Sequence, residues 1–475
     1  MSYGIYIGKN HTADGIAYLA GYGDEPSSHW LELVGRQTHD EGAAVKVGVT
    51  ADADLPGVMG EIPQDPETAR HLCVNYTYYK GTPAPLTNGG LNQHGVAVRD
   101  IWSPSRPELS RMTPKDQAGP NYSDLARLVL QRARSAREGV MLMGDIMARH
   151  GHTTYGGNSH IIADSAEAWV VIQFSGGQGL WAAERLDDDT IRASRPGYIL
   201  DIPIDQPDHP DFLYSPNLVD FAISQGWYDS AKGEPFNANA IYGDGKGRWD
   251  GVAWIEGEMT ARAARPEKVS IEDVMWAIRT ERLTGDTAGY GQVVPLADTH
   301  ADLRMLWHTQ IGPVAAQFVP VFMGISEVPA EFRMHRYLTD GEAATFLDDR
   351  KAADQVVSAV PQSVEATRSA TYVFKRLLNL AFQRKGEMLP ELIAVWNASE
   401  KRLLAEIPAV IRTARTLIDA GEPALATRFL TYFSSTELMK ALDGAEKLGD
   451  ALDIRIRALH GISGDVRPSG PEQIW

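Results

Sequence analysis

The stretch from residue 123 to 183 constrains the fold most. Ser123 predicts the N-cap of a helix carrying Leu125, Leu128 and Val129, and Ser135 predicts a second helix with Val140, Met143 and Met147 on one face and Gly151 closing it. Directly after it, residues 159–163, a turn over 164–167, the apolar run 168–173, a Ser-Gly-Gly-Gln-Gly turn and residues 180–183 read as an antiparallel meander. Strands are also predicted at 30–34, 45–49 and 95–101. Strands, then two helices, then strands again indicate a layered α+β domain.

The chain opens with structure. Ile5 and Ile7 lie on one face of a run over 3–9, residues 10–15 supply a turn, and 16–20 read as the returning strand. Most termini fray unless tied down, so a strand that begins at once places Ser2 at the mouth of a sheet. Past about residue 190 the sequence loosens into Pro-, Asp- and Gly-rich segments, until Ser270 and Asp273 form a capping box for a helix over 271–282. From about residue 362 the pattern is helical, with Leu392, Trp396, Leu403 and Ile407 at spacings near one or two turns. There is no internal repeat and no low-complexity segment.

Composition excludes several classes. A single cysteine in 475 residues rules out a disulfide framework and a thiolate metal cluster. A net charge of −17 without a long basic run argues against nucleic acid and anionic membranes, leaving small molecules or proteins as partners. The opening MSYGIYIGKN lacks a basic segment followed by an apolar one, and the apolar stretch 311–325 holds Gln317 and two prolines. The expectation is therefore a soluble, cytoplasmic protein.

Ser2 is the first candidate for chemistry. A serine hydroxyl needs a base to take its proton, and a chain-terminal serine carries its own, an α-amine with a pKa of roughly 7.7 to 8.0. Its plain alternative is the small residue that usually follows an initiator methionine. His150, His152 and His160 crowd one loop but lack a carboxylate pair at ligand spacing, so no metal is expected there. Residues 243–247 lack the Ser or Thr of a phosphate loop, 244–250 miss calcium-loop spacing, and Asp187, Asp188 and Asp189 read as a solvated turn. Cys73 reads as a small core residue, and no Gly-x-Ser-x-Gly elbow occurs.

Several segments, in order, carry a resemblance: IGK…ADG near the start, GLNQHGVAV, LVLQRARSAREGVMLMGDIMARHG, GGNSHIIADSAEAWVV, GLWAAERL, SIEDVMWAIRTERLTGD and GPVAAQFVPVF. Together they resemble the cysteine-type dipeptidase and secernin family of N-terminal-nucleophile hydrolases over roughly residues 2–330, with a weaker match through the helical region 331–475. The resemblance implies a four-layer αββα core and amide-bond hydrolysis by a residue freed of what precedes it, with no metal or organic cofactor. Counting back from Gly8, the family's cysteine position is filled here by Ser2. Its Arg-Asn-Glu-Asp run matches Gly21, Tyr22, Gly23 and Asp24, so only the aspartate is kept. Asp24 is then expected to orient the α-amine, Gly21 to open room beside Ser2, and Tyr22 to fill part of it.

Asn158 matches the family's oxyanion donor, with a turn residue as the equal alternative, and Trp102 is expected either to line an aromatic pocket or to sit in the core. The leading expectation is a dipeptidase-like amide hydrolase on a small-molecule or short-peptide substrate, with a homo-oligomer left open. Two others stand beside it: a repurposed scaffold acting as a lyase or other non-hydrolytic enzyme on a small molecule, aromatic or not, and an inactive scaffold whose helical tail mediates assembly.

Overall fold

The computed structural model describes residues 2–25, 27–77, 79–334 and 368–461. Two antiparallel sheets organise it. A six-stranded sheet runs, edge to edge, Ile191–Ser194, Tyr3–Ile7, Tyr18–Gly23, Tyr290–Pro295, Met305–Thr309 and Val319–Phe322. An eight-stranded sheet runs Phe212–Tyr214, Trp181–Leu186, Ala168–Gln173, Asn158–Ala163, Ala97–Trp102, Leu86–Asn92, His71–Tyr76 and His29–Val34. The chain is thus a mixed α/β fold. The first two strands pair with Gly4 opposite Gly21, and both strands pack against Ala97–Trp102 of the other sheet.

Helices Tyr122–Arg132 and Ala136–His150 bury Leu125, Leu128, Val129, Val140, Met143 and Met147 with Val98, Ile162, Trp169 and Val171 of the eight-stranded sheet. Ser135 caps the second helix through the Glu138 N–H and Gly151 ends it at φ 81°, as the sequence predicts. The first helix differs. Its cap is Asn121, whose side chain accepts from the Ser123 and Asp124 N–H groups while Asp124 accepts from the Asn121 N–H; Ser123 instead accepts from the Thr87 N–H. Two overlapping polar candidates stand here, and the amide two residues earlier reaches the open N–H groups.

Helices Asp250–Ala263 and Ile271–Arg279 pack on the six-stranded sheet; the Ser270–Asp273 capping box starts the latter as expected, and it ends at Arg279, three residues before the expected 282. The expected strand at 45–49 forms as Ala44–Gly48 in a separate two-stranded hairpin with Met59–Pro63.

Strands His71–Tyr76 and Leu86–Asn92 carry no period-two signal because every one of their residues is buried. Gly90 is needed there: a Cβ on it would lie 2.2 Å from the Leu72 carbonyl oxygen. Cys73 is buried on the first of these strands, and burial pushes its thiol pKa well up. Helices Ala370–Gln383, Lys385–Asp419 and Pro423–His460 follow, the last packing on Val319–Phe322. Their apolar residues, among them Leu392, Trp396, Leu403 and Ile407, join the core of the six-stranded sheet rather than forming a separate one. The start of the expected helical region, 362–367, lies outside the described residues. Among the described residues no helix is long and apolar enough to cross a membrane.

Candidate active site

Successive strand residues point to opposite faces. Gly4 therefore faces the eight-stranded sheet, where its missing Cβ would lie 3.0 Å from Ile101 and 3.4 Å from Arg99, and Ser2 shares that parity. Ser2 is 4% exposed, and its hydroxyl donates to Glu25 Oε1 at 3.1 Å. On the neighbouring strand, residues 21 and 23 share the same face by the same rule, and Glu25 follows two residues past the strand's end. Cβ atoms on Gly21 and Gly23 would lie 2.9 Å from Arg99 Cδ and 2.5 Å from both Asn88 Nδ2 and Glu25 Oε2. The glycines thus leave space that Arg99, Asn88 and Glu25 occupy.

Glu25 is the centre of this cluster. Its Oε2 accepts from Asn88 Nδ2 at 2.7 Å and lies 3.7 Å from His29 Nε2, while His29 Nδ1 donates to the Ser27 carbonyl at 2.9 Å. Arg99, fully buried, donates to Asp100 Oδ1 at 2.7 Å, to Tyr290 Oη at 2.9 Å, to Asn88 Oδ1 at 3.1 Å and to the Tyr22 carbonyl at 2.7 Å. Burial works to raise the Glu25 carboxyl, but the nearby His29 imidazole, with the Arg99 charge behind it, outweighs it and holds Glu25 below its ordinary 4.5. Asp100 goes the other way: burial raises it, and the Arg99 charge offsets only part of that. Two carboxyls near one guanidinium are thereby set apart in proton affinity.

A depressed folded-state pKa contributes stability that is present above pH 4.5 and is lost as pH falls through the folded value. Glu25→Gln should accordingly unfold more easily than the wild type at pH 7, by about 1–3 kcal/mol, since Asn88 and His29 lose an anionic partner. Its stability should also decline less steeply in acid below pH 4.5. Urea midpoints measured from pH 3 to 7 check both, and identical slopes for the two proteins would contradict the assignment.

The structure sorts the residues expected from sequence. Asp24 lines the cavity with Ser2, but its Oδ2 lies 3.4 Å from Arg195 and its Oδ1 accepts from the Thr287 hydroxyl. The carboxylate that touches Ser2 is Glu25, one residue later. Tyr22 lies on the opposite strand face, donating to the Leu283 carbonyl at 2.6 Å and accepting from Arg195, so the room beside Gly21 is filled by Arg99 and not by Tyr22. Trp102 lines the cavity. Asn158 is fully buried opposite Trp102 in the strand register, accepting from the Tyr155 hydroxyl at 3.2 Å and donating to the Ser159 carbonyl at 3.1 Å; it lies behind Tyr155 and is not among the residues that line the cavity. His160 bonds Gln173 and the Tyr122 carbonyl, and no group of three potential metal ligands occurs among the described residues.

The cavity holds about 500 Å³ and is lined by Ser2, Asp24, Glu25 and Ser27 together with Asp100, five aromatic rings, Asp54 and Lys80. Sequence reading missed Glu25, Asn88, Arg99, Asp100 and Arg195. Glu25 sits beside the matched Asp24, just past the end of the strand Tyr18–Gly23, and that adjacency was the signal open to sequence reading; the others come from distant segments and leave no local signal.

Residues 92–249 match the model of peptidase family C69. That segment includes Arg99, Asp100, Trp102, Tyr122, Tyr155 and Asn158 and leaves out Ser2, Asp24 and Glu25. The chain is similar to a probable dipeptidase of Salmonella dublin, 32% identical over 36% of this chain and 38% of that protein. It is also similar to the probable dipeptidase B of Lactococcus lactis subsp. lactis, 34% identical over 25% of this chain and 26% of that protein. The probable dipeptidase of Latilactobacillus sakei is 23% identical over 46% and 43%. The matches thus span less than half the length of these curated relatives. Among solved structures, a mutant of conjugated bile acid hydrolase from Clostridium perfringens overlaps 68% of this chain and 92% of its own at 12% identity and a TM-score of 0.33.

Proposed function

We propose that this chain is a dipeptidase-like amide hydrolase on a four-layer αββα frame, with Ser2, freed of what precedes it, as an N-terminal nucleophile. The observation that carries the reading is the Ser2 hydroxyl, held by Glu25 at 3.1 Å in the wall of the 500 Å³ cavity. The match of residues 92–249 to peptidase family C69 and the similarity to probable dipeptidases support the reaction class.

In this reading the α-amine of Ser2 takes the hydroxyl proton as Oγ attacks the substrate carbonyl, and returns it to the leaving amine. The Ser2 proton then no longer serves Glu25, whose ionised carboxylate is placed to stabilise the ammonium that forms. Asp24, tied to Arg195, orients the amine from the other side. Asn158 is the oxyanion donor, exchanging its contact with the Ser159 carbonyl for the substrate oxygen, and backbone N–H groups complete the site; one such donor is worth about 3 kcal/mol. Water then cleaves the acyl-enzyme.

The five rings also suit a repurposed site that handles a small aromatic molecule without hydrolysis. Turnover in ¹⁸O-labelled water separates the two. Hydrolysis places one labelled oxygen in the product carboxyl group, and an unlabelled product would reject the hydrolase reading.

A further inference from the structure

The rings of the cavity point to its substrate. Tyr79 and Tyr155 have centroids 5.0 Å apart, as do Tyr122 and Tyr155, and Tyr79 meets Tyr122 edge-on at 6.2 Å. Three of the hydroxyls are engaged with protein: Tyr155 donates to Asn158, and the Tyr76 and Tyr122 hydroxyls bond each other. Burial also keeps Tyr76, Tyr122 and Tyr155 protonated by pushing their pKa values well up, so these rings present neutral faces. Trp102, half-buried, stands edge-on to Trp249 at 6.1 Å and closes the aromatic wall. A buried carboxyl on Asp100 lines the same space, with one oxygen on Arg99, and Lys80 and Asp54, 3.5 Å apart and exposed, line its rim.

Tilted and edge-on rings favour a further ring among them over an aliphatic group of equal volume, because the positive ring edge meets a negative ring face. A saturated ring would gain the same area burial and lose that term. The volume of about 500 Å³ admits a ring together with the atoms around a scissile amide.

We infer that this cavity takes an aromatic ring adjacent to the scissile bond, so that the substrates are amides or dipeptides bearing a phenyl, phenol or indole group. The inference rests on the proposed hydrolase reading for the presence of an amide, and its test is therefore made on binding, which needs no turnover. Calorimetric titration of Ser2→Ala with Phe-Ala, Ala-Phe and the matched pair in which cyclohexylalanine replaces phenylalanine reads the ring term directly. At least one phenyl dipeptide should bind about tenfold tighter than its cyclohexyl partner, and Tyr79→Leu in the same background should erase most of that ratio. Trp102→Leu is the second variant should Tyr79→Leu fail to fold, and both positions are only half-buried.

Equal affinities for phenyl and cyclohexyl ligands, or no binding of either aromatic dipeptide, would overturn the inference. If the ring preference holds while the wild type hydrolyses nothing, the substrate class stands and the hydrolase reading falls.

Discussion

Replacing Ser2 by alanine should lower kcat by at least about 10⁴-fold, because the nucleophile is removed and only binding and oxyanion contacts are left to act. The fold should persist. The lost atom makes one described hydrogen bond, to Glu25, so the urea midpoint should correspond to within about 1–2 kcal/mol of wild type. Ser2→Cys offers the positive control: a thiol at the same position should keep part of the activity and make it sensitive to iodoacetamide. In the wild type the same reagent finds only Cys73, which is buried with a raised pKa. Intact mass of the active preparation should show the chain beginning at Ser2. Full activity in Ser2→Ala, or an active chain whose Ser2 amine is still blocked, would remove the mechanism.

The second large effect lies far from the nucleophile. Arg279, at the end of helix Ile271–Arg279, makes a two-pronged pair with Glu400 of helix Lys385–Asp419, at 2.6 and 2.8 Å, and both side chains are 4% exposed. Glu400 also accepts from the Phe318 N–H at 2.7 Å, and Arg279 donates to the Ala316 carbonyl and to Asn397. Glu400→Ala should cost about 3–5 kcal/mol, because a guanidinium and a backbone N–H are left buried without their anion. Equilibrium urea unfolding measures it. A double variant with Met at both positions should recover much of the loss, since the penalty comes from stranding one charge more than from losing the pair. A cost under about 1 kcal/mol for Glu400→Ala would mean that the C-terminal helices are held by apolar packing alone.

Residues 331–475 read from sequence as a helical region, and helical periodicity reports only that one face is covered and not by what. In the structure the covering surface is the six-stranded sheet and its neighbouring helix, so region 2–330 and the described C-terminal helices share one core. The helix around Val140 was legible because it has a solvent-facing side to contrast with its buried one, and the all-buried meander from Asn158 because turn residues bound its apolar runs. His71–Tyr76 and Leu86–Asn92, equally buried and interrupted by Asn and Gly, carried neither signal.

The site divides along the same line. Ser2 was legible because the first strand begins immediately after it, and a residue beside an anchored strand can hold a fixed position. Asp24 was placed by matching a motif, whereas the carboxylate on Ser2 is its neighbour Glu25, which only the packing of the chain past the strand's end brings there.

By itself the sequence determined local matters: capped helices, the turns between strands, the position of Ser2 at the mouth of a sheet, and the absence of a second cysteine for any disulfide. Only the tertiary structure decided that Arg99, 75 positions beyond Asp24, fills the space over Gly21, that Asn88 and His29 hold Glu25 ionised, and that rings from separate segments converge on one cavity. The physical reason is range. Caps and alternation act over one to four residues, whereas pKa shifts and cavity shape depend on which strands lie face to face, and that is fixed by packing of the whole core.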